Sequence, residues 1–207
     1  MSKPFLLVDI TGGSIKATHL CILVHGLWGN PSHMRNVAKA LRDEHSEDEL
    51  YILPAEKNRG NLTYDGIELG GERTCAEVEE KLCSIKEQGG KITKLSIVGY
   101  SLGGLVSRYA VGLLYAKGIL NDIECMNFTT LASPHLGNVL GARTLSMSGR
   151  QLFTIDRFRD TNRPLLAVLA DPDSIFMSGL KKFKRRTVHK HYQRSKRATL
   201  HIRRSEI

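Results

Sequence analysis

Apolar runs of strand length alternate along this chain with segments of helical spacing, and this order constrains the fold more than any other feature. The runs cover residues 19–24, 51–54, 95–98 and 127–131. Between the runs, apolar residues recur at helical intervals over residues 31–43, after Thr74 and over residues 102–116. Strands separated by helices favour βαβ units, whose parallel strands are buried on both faces. The predicted fold class is therefore α/β, with a mostly parallel central sheet flanked by helices.

One long loop is predicted within this order. Residues 56–71 are polar and rich in glycine, which is typical of a loop. Thr74 and Glu77 have the spacing of a capping box, in which both side chains bond free amides at the start of a helix. The following helix is therefore predicted to begin at Thr74 and to end at Gly89.

The charge is distributed unevenly. The chain carries 30 Lys and Arg against 21 Asp and Glu, a net charge of +9. Residues 181–207 hold eleven of the basic residues and one acid, so the first 180 residues have a net charge of −1. A basic tail on a nearly neutral domain suits a solvated, disordered end better than a nucleic-acid interface. No specific nucleic-acid partner is expected, and attraction to anionic lipid is the other function open to the tail.

Composition is that of an ordinary globular protein. The 207 residues suit one domain, and 41% apolar with 25% charged residues can form a packed core. No apolar run approaches the roughly 20 residues of a transmembrane helix, and the amino-terminal run is too short for a secretory signal. The cysteines lack C-x-x-C pairing and histidines at zinc spacing, which predicts free thiols, no metal site and no cofactor. We therefore expect an intracellular, cytoplasmic protein.

One short motif carries chemistry because of its position. Gly99, Ser101 and Gly103 form G-x-S-x-G directly after a predicted strand and at the start of a predicted helix. This is the context of a nucleophile elbow, a strained turn that holds a serine hydroxyl away from the backbone. The amide of Leu102, at the amino end of the helix, lacks an intrahelical acceptor and can bind a developing oxyanion. Ser101 is the predicted nucleophile, and the alternative is a buried serine in an ordinary glycine-rich turn.

A second loop, H-G-L-W-G, begins at His25 and follows the first predicted strand. Ligands of open α/β sheets bind at the carboxyl ends of such strands. In lipases and esterases a loop of this kind supplies the second oxyanion donor, and the amide of Leu27 is the candidate here. The His25 side chain is expected to hold the loop by hydrogen bonds. With Gly26, Trp28 and Tyr100, it belongs to the predicted lining of the substrate site.

A third loop, L-A-S-P-H-L-G, contains His135. This histidine is a candidate base for Ser101. In such a site, however, the base follows the acid in chain order, and His135 lies only about 30 residues after the serine. We therefore expect His135 to line the substrate site or to hold its own loop.

Together the three motifs resemble a eukaryotic family of serine esterases. They read V-H-G-L-W-G-N-P at residues 24–31, I-V-G-Y-S-L-G-G-L-V-S-R-Y at residues 97–109 and L-A-S-P-H-L-G at residues 131–137. The family consists of lipase-like α/β-hydrolases, is well represented in fungi and was once catalogued only as a domain of unknown function. The resemblance covers roughly residues 19–188.

The resemblance implies an α/β-hydrolase fold that cleaves acyl esters of lipids. It makes Ser101 the nucleophile and assigns the backbone amides of Leu27 and Leu102 to the oxyanion hole. Some relatives act as phospholipases at lipid droplets, which suggests peripheral attachment to a droplet or membrane surface. The implied domains are an amino-terminal segment (1–18), a hydrolase core (19–149), a cap-like helical segment (150–187) and a basic tail (188–207).

The chain departs from the family where the catalytic acid and base are expected. The family places its acid in an Asn-Asp-Arg sequence after a strand that starts near residues 187 and 188, and its histidine later. Neither is identifiable, so the fold is predicted to be truncated at its carboxyl end. A change of reading frame near codon 188 would explain both the missing acid and the basic composition. A triad within the chain would have to draw on Asp156, Asp160, Asp171 or Asp173 and on His189, His191 or His201.

Two functions follow from these observations. The first is a serine hydrolase of lipase or esterase type with a lipid or other acyl-ester substrate. The second is a non-catalytic, hydrolase-like protein, because a serine without a base is a poor nucleophile. As written, the chain is predicted to be poorly stable and nearly inactive. A binder of nucleic acid or anionic membrane, acting through residues 181–207, ranks third.

Overall fold

A parallel sheet forms the centre of the molecule. The computed structural model describes residues 10–135, 158 and 163–189. Within these residues the sheet has five strands in the order β2-β1-β3-β4-β5, and every neighbouring pair is parallel. The strands are β1 (His19–Val24), β2 (Leu50–Pro54), β3 (Lys94–Tyr100), β4 (Glu124–Leu131) and β5 (Arg185–His189).

Helices follow the strands in alternation, which confirms the predicted α/β class. They are α1 (Arg35–Glu44), α2 (Gly66–Glu87), α3 (Leu102–Ala116), α4 (Leu165–Ala170) and α5 (Ile175–Lys181). Short 3₁₀ helices occupy Pro31–Met34, Gly60–Asp65 and Ile119–Asn121. In the part of the chain that the structure describes, no helix is long and apolar enough to cross a bilayer.

The side chains of β1 alternate between the two faces of the sheet. Leu20, Ile22 and Val24 belong to the larger core, which includes residues of α2 and α3. Cys21 and Leu23 belong to the smaller core, which includes residues of α1. Both faces of the strand are covered, and this is why its sequence is a continuous apolar run.

The strand order creates a crevice at one point of the sheet. β1 lies between β2 and β3. The chain therefore adds β2 on one side of β1 and then adds β3 on the other side. The connections after β1 and β3 therefore diverge at the carboxyl ends of these strands. Open α/β sheets bind ligands at such a switch point.

The helix after β2 begins earlier than predicted. α2 starts at Gly66, so the prediction of a loop over residues 56–71 was wrong from Gly66 onward, and the prediction of a capping box at Thr74 was wrong. The Thr74 hydroxyl donates to the carbonyl of Gly70 at 2.9 Å, inside the helix. The Glu77 carboxylate accepts from backbone amides of the preceding loop instead of capping α2.

Glycines in α2 serve packing rather than a loop. A methyl group on Gly70 would lie 3.1 Å from Val106 Cγ2 of α3, and one on Gly71 would lie 2.5 Å from Tyr109 Cδ1. The two glycines therefore let α2 approach α3 closely. Tertiary packing outweighs the low helix propensity of glycine at these positions.

Helices α4 and α5 and most of β5 come from the segment predicted as a cap (150–187). Phe176 of α5 packs beside Tyr109 of α3, with ring centroids 4.8 Å apart. β5 begins at Arg185, two residues before the predicted start of the next strand, and pairs with β4. Most of the predicted tail, residues 190–207, lies outside the described residues, and the domain division stays a prediction.

Candidate active site

Ser101 forms the corner between β3 and α3. Its backbone has φ 53° and ψ −122°, a conformation that a residue with a Cβ rarely adopts and that costs about 1–3 kcal/mol. The Ser101 amide donates to Leu131 O of β4 at 2.8 Å, and Ser101 O accepts from Gly104 N at 3.1 Å. The corner is therefore a sharp, strained turn, and its serine is half-buried at the carboxyl edge of the sheet.

Two close approaches around this corner require glycine. A methyl group on Gly99 would lie 2.6 Å from the Cα of Gly104. A methyl group on Gly26 would lie 2.9 Å from the Cβ of Ser101. The loop after β1 thus lies directly against the serine, and the fold brings the two predicted motifs together.

Two backbone amides beside Ser101 are candidates for an oxyanion hole. Leu102 is the first residue of α3, and first-turn amides have no acceptor within their helix. The amide of Leu27 has no hydrogen-bond acceptor among the described residues. Free donors of this kind stabilise negative charge on a reacting oxygen. Their joint action on one oxygen stays a prediction.

The loop that contains Leu27 is held from the side of α2. Trp28 N donates to Thr63 Oγ1 at 3.0 Å, and Gly60 N donates to Gly29 O at 2.8 Å. Trp28 itself has φ 53°, a second strained residue at this edge of the sheet. These two hydrogen bonds hold the loop against the 3₁₀ helix that precedes α2.

His25 lies at the buried start of the same loop. Its Nδ1 bonds the carbonyl of Gly26 at 3.1 Å. Since a carbonyl oxygen only accepts, Nδ1 carries the proton. Burial lowers the pKa of His25 below its ordinary value, so the ring is neutral near pH 7. These contacts are those of a side chain that holds the loop.

Aromatic side chains are exposed in the loop after β1 and at the residue before Ser101. Trp28 is 52% exposed and Tyr100 is 47% exposed. The Trp28 indole N–H donates to the hydroxyl of Tyr64, and the two rings meet edge to face with centroids 5.9 Å apart. Tyr64 and Thr63 were missed in the sequence because both fall in the segment predicted as a loop.

His135 is hydrogen-bonded at both ring nitrogens. Nε2 bonds Thr130 Oγ1 at 2.8 Å, and Nδ1 faces the guanidinium of Arg108 at 3.4 Å. Burial and then the positive charge of Arg108 lower the pKa of His135 to about 4. A neutral ring with both nitrogens engaged is poorly suited to accept the proton of Ser101, and its contacts fit the expected loop-holding role.

The described acids and histidines form no pair with the serine. Asp171 accepts from Arg163 at 2.9 Å and from the amide of Asp173 at 3.1 Å. His189 ends β5 at the same edge of the sheet as Ser101. Over residues 10–135, 158 and 163–189, no hydrogen bond joins a histidine to Ser101 or to a carboxylate. The other predicted candidates lie outside the described residues: Asp156, Asp160, His191 and His201.

The cysteines are free thiols, as predicted, and are poor nucleophiles here. Cys21, Cys75 and Cys125 are buried, whereas Cys83 is exposed. Burial raises the pKa of Cys21 to about 12, and it is the main cause that raises the pKa of Cys75 and Cys125 to about 11. A protonated thiol does not attack an ester, so the three buried cysteines are poor nucleophiles near neutral pH.

Solved structures align with most of this chain at low identity and with TM-scores below 0.5. The putative cell surface hydrolase from Lactobacillus plantarum WCFS1 aligns with a TM-score of 0.47 and 10% identity, covering 86% of this chain and 83% of that one. The lin2722 gene product of Listeria innocua gives 0.47 and 14%, with 84% of each chain covered. RedJ aligns with a TM-score of 0.45 and 18% identity, covering 80% of this chain and 59% of that one.

Curated relatives are fungal proteins named as lipases. Putative lipase ROG1 of Saccharomyces cerevisiae is 30% identical over 193 residues, which are 84% of this chain and 26% of that protein. Putative lipase C4A8.10 of Schizosaccharomyces pombe is 28% identical over 191 residues, 83% of this chain and 24% of that protein. The chain spans about a quarter of the length of these relatives.

The family assignment is direct. Residues 14–140 and 138–201 match the family described as putative serine esterase (DUF676). The matched segments contain Ser101 and the loop 25–29, and they cover most of the chain. This chain is therefore a member of the DUF676 family of putative serine esterases and has the α/β-hydrolase fold.

Proposed function

We propose that this chain carries the acyl-transfer site of a lipase-type serine hydrolase, with Ser101 as the nucleophile. The observation that carries the proposal is the strained backbone of Ser101, φ 53° and ψ −122°, at the switch point of a parallel sheet. Strain of this size persists only where the surrounding fold enforces it, and such positions cluster at functional sites. The family membership supports the same reaction class.

The reaction follows from the groups around the corner. Ser101 Oγ bonds the acyl carbon of the ester, and the carbonyl electron pair moves onto its oxygen. The amides of Leu27 and Leu102 then donate to this oxyanion. Collapse of the intermediate expels the alcohol with a proton and leaves an acyl-serine, which water hydrolyses to the carboxylic acid.

Ser101 needs a base to accept its proton. In the chain order of this fold the base follows the acid, which excludes His25 from the role and disfavours His135. His189, at the end of β5, is the described candidate that satisfies this order. His191 and His201 satisfy it as well and lie outside the described residues.

The rim of the site favours an apolar acyl group. Tyr100 directly precedes Ser101, and Trp28 belongs to the loop whose Gly26 lies against the serine. Both rings present exposed aromatic surface, and the indole N–H of Trp28 donates to the hydroxyl of Tyr64. Aromatic faces bury a large apolar area per side chain. The names of the fungal relatives point the same way, so lipid esters are the proposed substrates. Attachment to a droplet or membrane surface stays a further prediction.

A non-catalytic hydrolase-like protein is the second candidate. One observation favours it: among the described residues no histidine is bonded to Ser101. Such a protein would bind acyl esters at the same corner without turning them over, because oxyanion-hole donors give only weak catalysis when no base is present.

Labelling by an alkyl fluorophosphonate tests the proposal. The probe requires an activated serine, and mass spectrometry locates its adduct. We expect one adduct, on Ser101, that is absent from the Ser101→Ala variant. An adduct confined to other residues, or none at all, would overturn the proposal. Binding of a fatty alkyl ether analogue without labelling would establish the non-catalytic alternative.

A further inference from the structure

A small cavity lies beneath the loop 25–29, where the end of β1 meets α2 and the start of α3. His25, Asn58 and Val106 are among the residues that line it. It leaves about 10 Å³ for the centre of a water molecule. This is enough for one buried water and far too little for an organic ligand.

Two residues of this lining each carry a buried polar atom that has no hydrogen-bond partner among the described residues. The atoms are Nε2 of His25 and Oδ1 of Asn58, and their residues are 3% and 4% exposed. Buried polar atoms in folded proteins almost always have a hydrogen bond, to protein or to ordered water. Two such atoms in the lining of one small cavity therefore point to a shared ligand.

The orientation of Asn58 follows from its other contacts. Its Nδ2 donates to Gly70 O at 2.8 Å and to Thr74 Oγ1 at 3.0 Å. Gly70 O is a carbonyl and only accepts, so the NH₂ end of the amide must face it. The opposite end, Oδ1, is an acceptor, and no donor reaches it within residues 10–135, 158 and 163–189.

The tautomer of His25 follows in the same way. Nδ1 donates to Gly26 O, so in the neutral ring Nε2 carries a lone pair and accepts. Burial lowers the pKa of His25 and keeps the ring neutral. Nε2 and Oδ1 are thus both acceptors and cannot bond each other.

The geometry points to a single buried water molecule that donates one hydrogen to His25 Nε2 and the other to Asn58 Oδ1. A neutral molecule of this size with two donors satisfies both atoms at once. It ties the loop that carries Leu27 to the α2 side of the fold through Asn58. The inference concerns the folded protein and does not depend on the proposed esterase activity.

Two NMR measurements on the full chain test the inference. The ¹⁵N shifts of the His25 ring report the tautomer, and a water-selective NOE detects a long-lived water near the ring. We expect an unprotonated Nε2 and an NOE between water and the His25 ring. A proton on Nε2, or the lack of this NOE, would overturn the inference.

Matched variants locate the second partner. Asn58→Leu removes Oδ1 and is expected to abolish the water NOE at His25. Thr74→Val removes a neighbouring hydroxyl that bonds Asn58 without lining the cavity, and the NOE should persist. Val106→Ile adds a methylene group to the lining and should displace the water. It serves as the test if Asn58→Leu fails to fold. Persistence of the NOE in both Asn58→Leu and Val106→Ile would contradict the assignment.

Discussion

Gly26 and Ser101 come from separate loops, yet a methyl group on Gly26 would lie 2.9 Å from the Cβ of Ser101. The same methyl group would lie 3.1 Å from the carbonyl oxygen of Tyr100. These neighbours are the strained Ser101 and the last residue of β3, and the buried helix α3 follows them directly. The contact therefore sets the distance between the loop that carries Leu27 and the serine.

Gly26→Ala should impair the reactivity of Ser101 more than it impairs folding. The added methyl group pushes the loop away from the serine and moves the Leu27 amide with it. A misplacement of about 1 Å can cost on the order of 100-fold in rate, so we expect fluorophosphonate labelling to slow about 10- to 100-fold. Labelling rates and thermal unfolding, measured on the same preparation, separate the two effects.

Gly89→Ala is the matched control for this variant. Gly89 follows α2 with φ 89° and open space around its Cα. Alanine there costs about 1 kcal/mol through the left-handed backbone alone, and it leaves the serine corner untouched. Gly89→Ala should label at the wild-type rate. If Gly26→Ala also labels at the wild-type rate, the proposed contact is contradicted.

The strained backbone of Ser101 predicts that glycine is the more stable replacement. With φ 53° and ψ −122°, alanine keeps the steric cost of a Cβ, whereas glycine relieves it. We expect Ser101→Gly to exceed Ser101→Ala in free energy of unfolding by about 1 kcal/mol, the lower end of the cost of such strain. Urea denaturation measures the difference. A Ser101→Ala variant as stable as Ser101→Gly would show that the corner is relaxed.

The strands and the corner at Ser101 could be predicted because their causes are local. β1 is a continuous apolar run since both its faces are buried, and its predicted bounds match the observed ones. G-x-S-x-G combines two glycines at close backbone approaches with a serine between a strand and a helix. Each of these features is determined within a few residues of sequence.

The start of α2 could not be predicted from capping rules because its cause is a contact with α3. Gly70 and Gly71 lower helix propensity, yet they are the positions at which the two helices touch. The spacing of apolar residues indicated the earlier start, because Ile67 lies on the same helical face as Val78 and Ile85. The apparent capping box at Thr74 pointed instead to a later start. The partners of His135 were equally hidden, since Arg108 reaches it only in the folded chain.

Trp28 should report on acyl-chain binding. It is the single tryptophan of the chain and lies half-exposed at the rim of the site, with its indole N–H bonded to Tyr64. A medium-chain alkyl phosphonate bound to Ser101 would cover the indole and change its fluorescence. Trp28→Ala should slow labelling by medium-chain probes about 10-fold, since a well-buried aromatic contact contributes about 1.5 kcal/mol. Short-chain probes should be affected much less.

Ile175→Ala controls for the loss of exposed apolar surface. Ile175 is 37% exposed and starts α5, and its neighbour Phe176 packs against Gly112, eleven residues after Ser101 in the chain. Labelling of this variant should match the wild type for both chain lengths. An equal loss for short and medium probes in Trp28→Ala would mean that the ring supports the loop and does not contact the acyl chain.

His135 should stay neutral well below the pH at which an ordinary histidine gains its proton. Burial and the Arg108 guanidinium lower the pKa of His135 to about 4 from an ordinary value of 6.5. Between these values the unfolded chain binds a proton that the folded chain does not, so this residue reduces stability as the pH falls from 6.5 towards 4. An NMR titration of the ring should give a midpoint near 4. Arg108→Gln should raise it, though not to the ordinary value because burial remains. A wild-type midpoint near 6.5 would contradict the described environment of the ring.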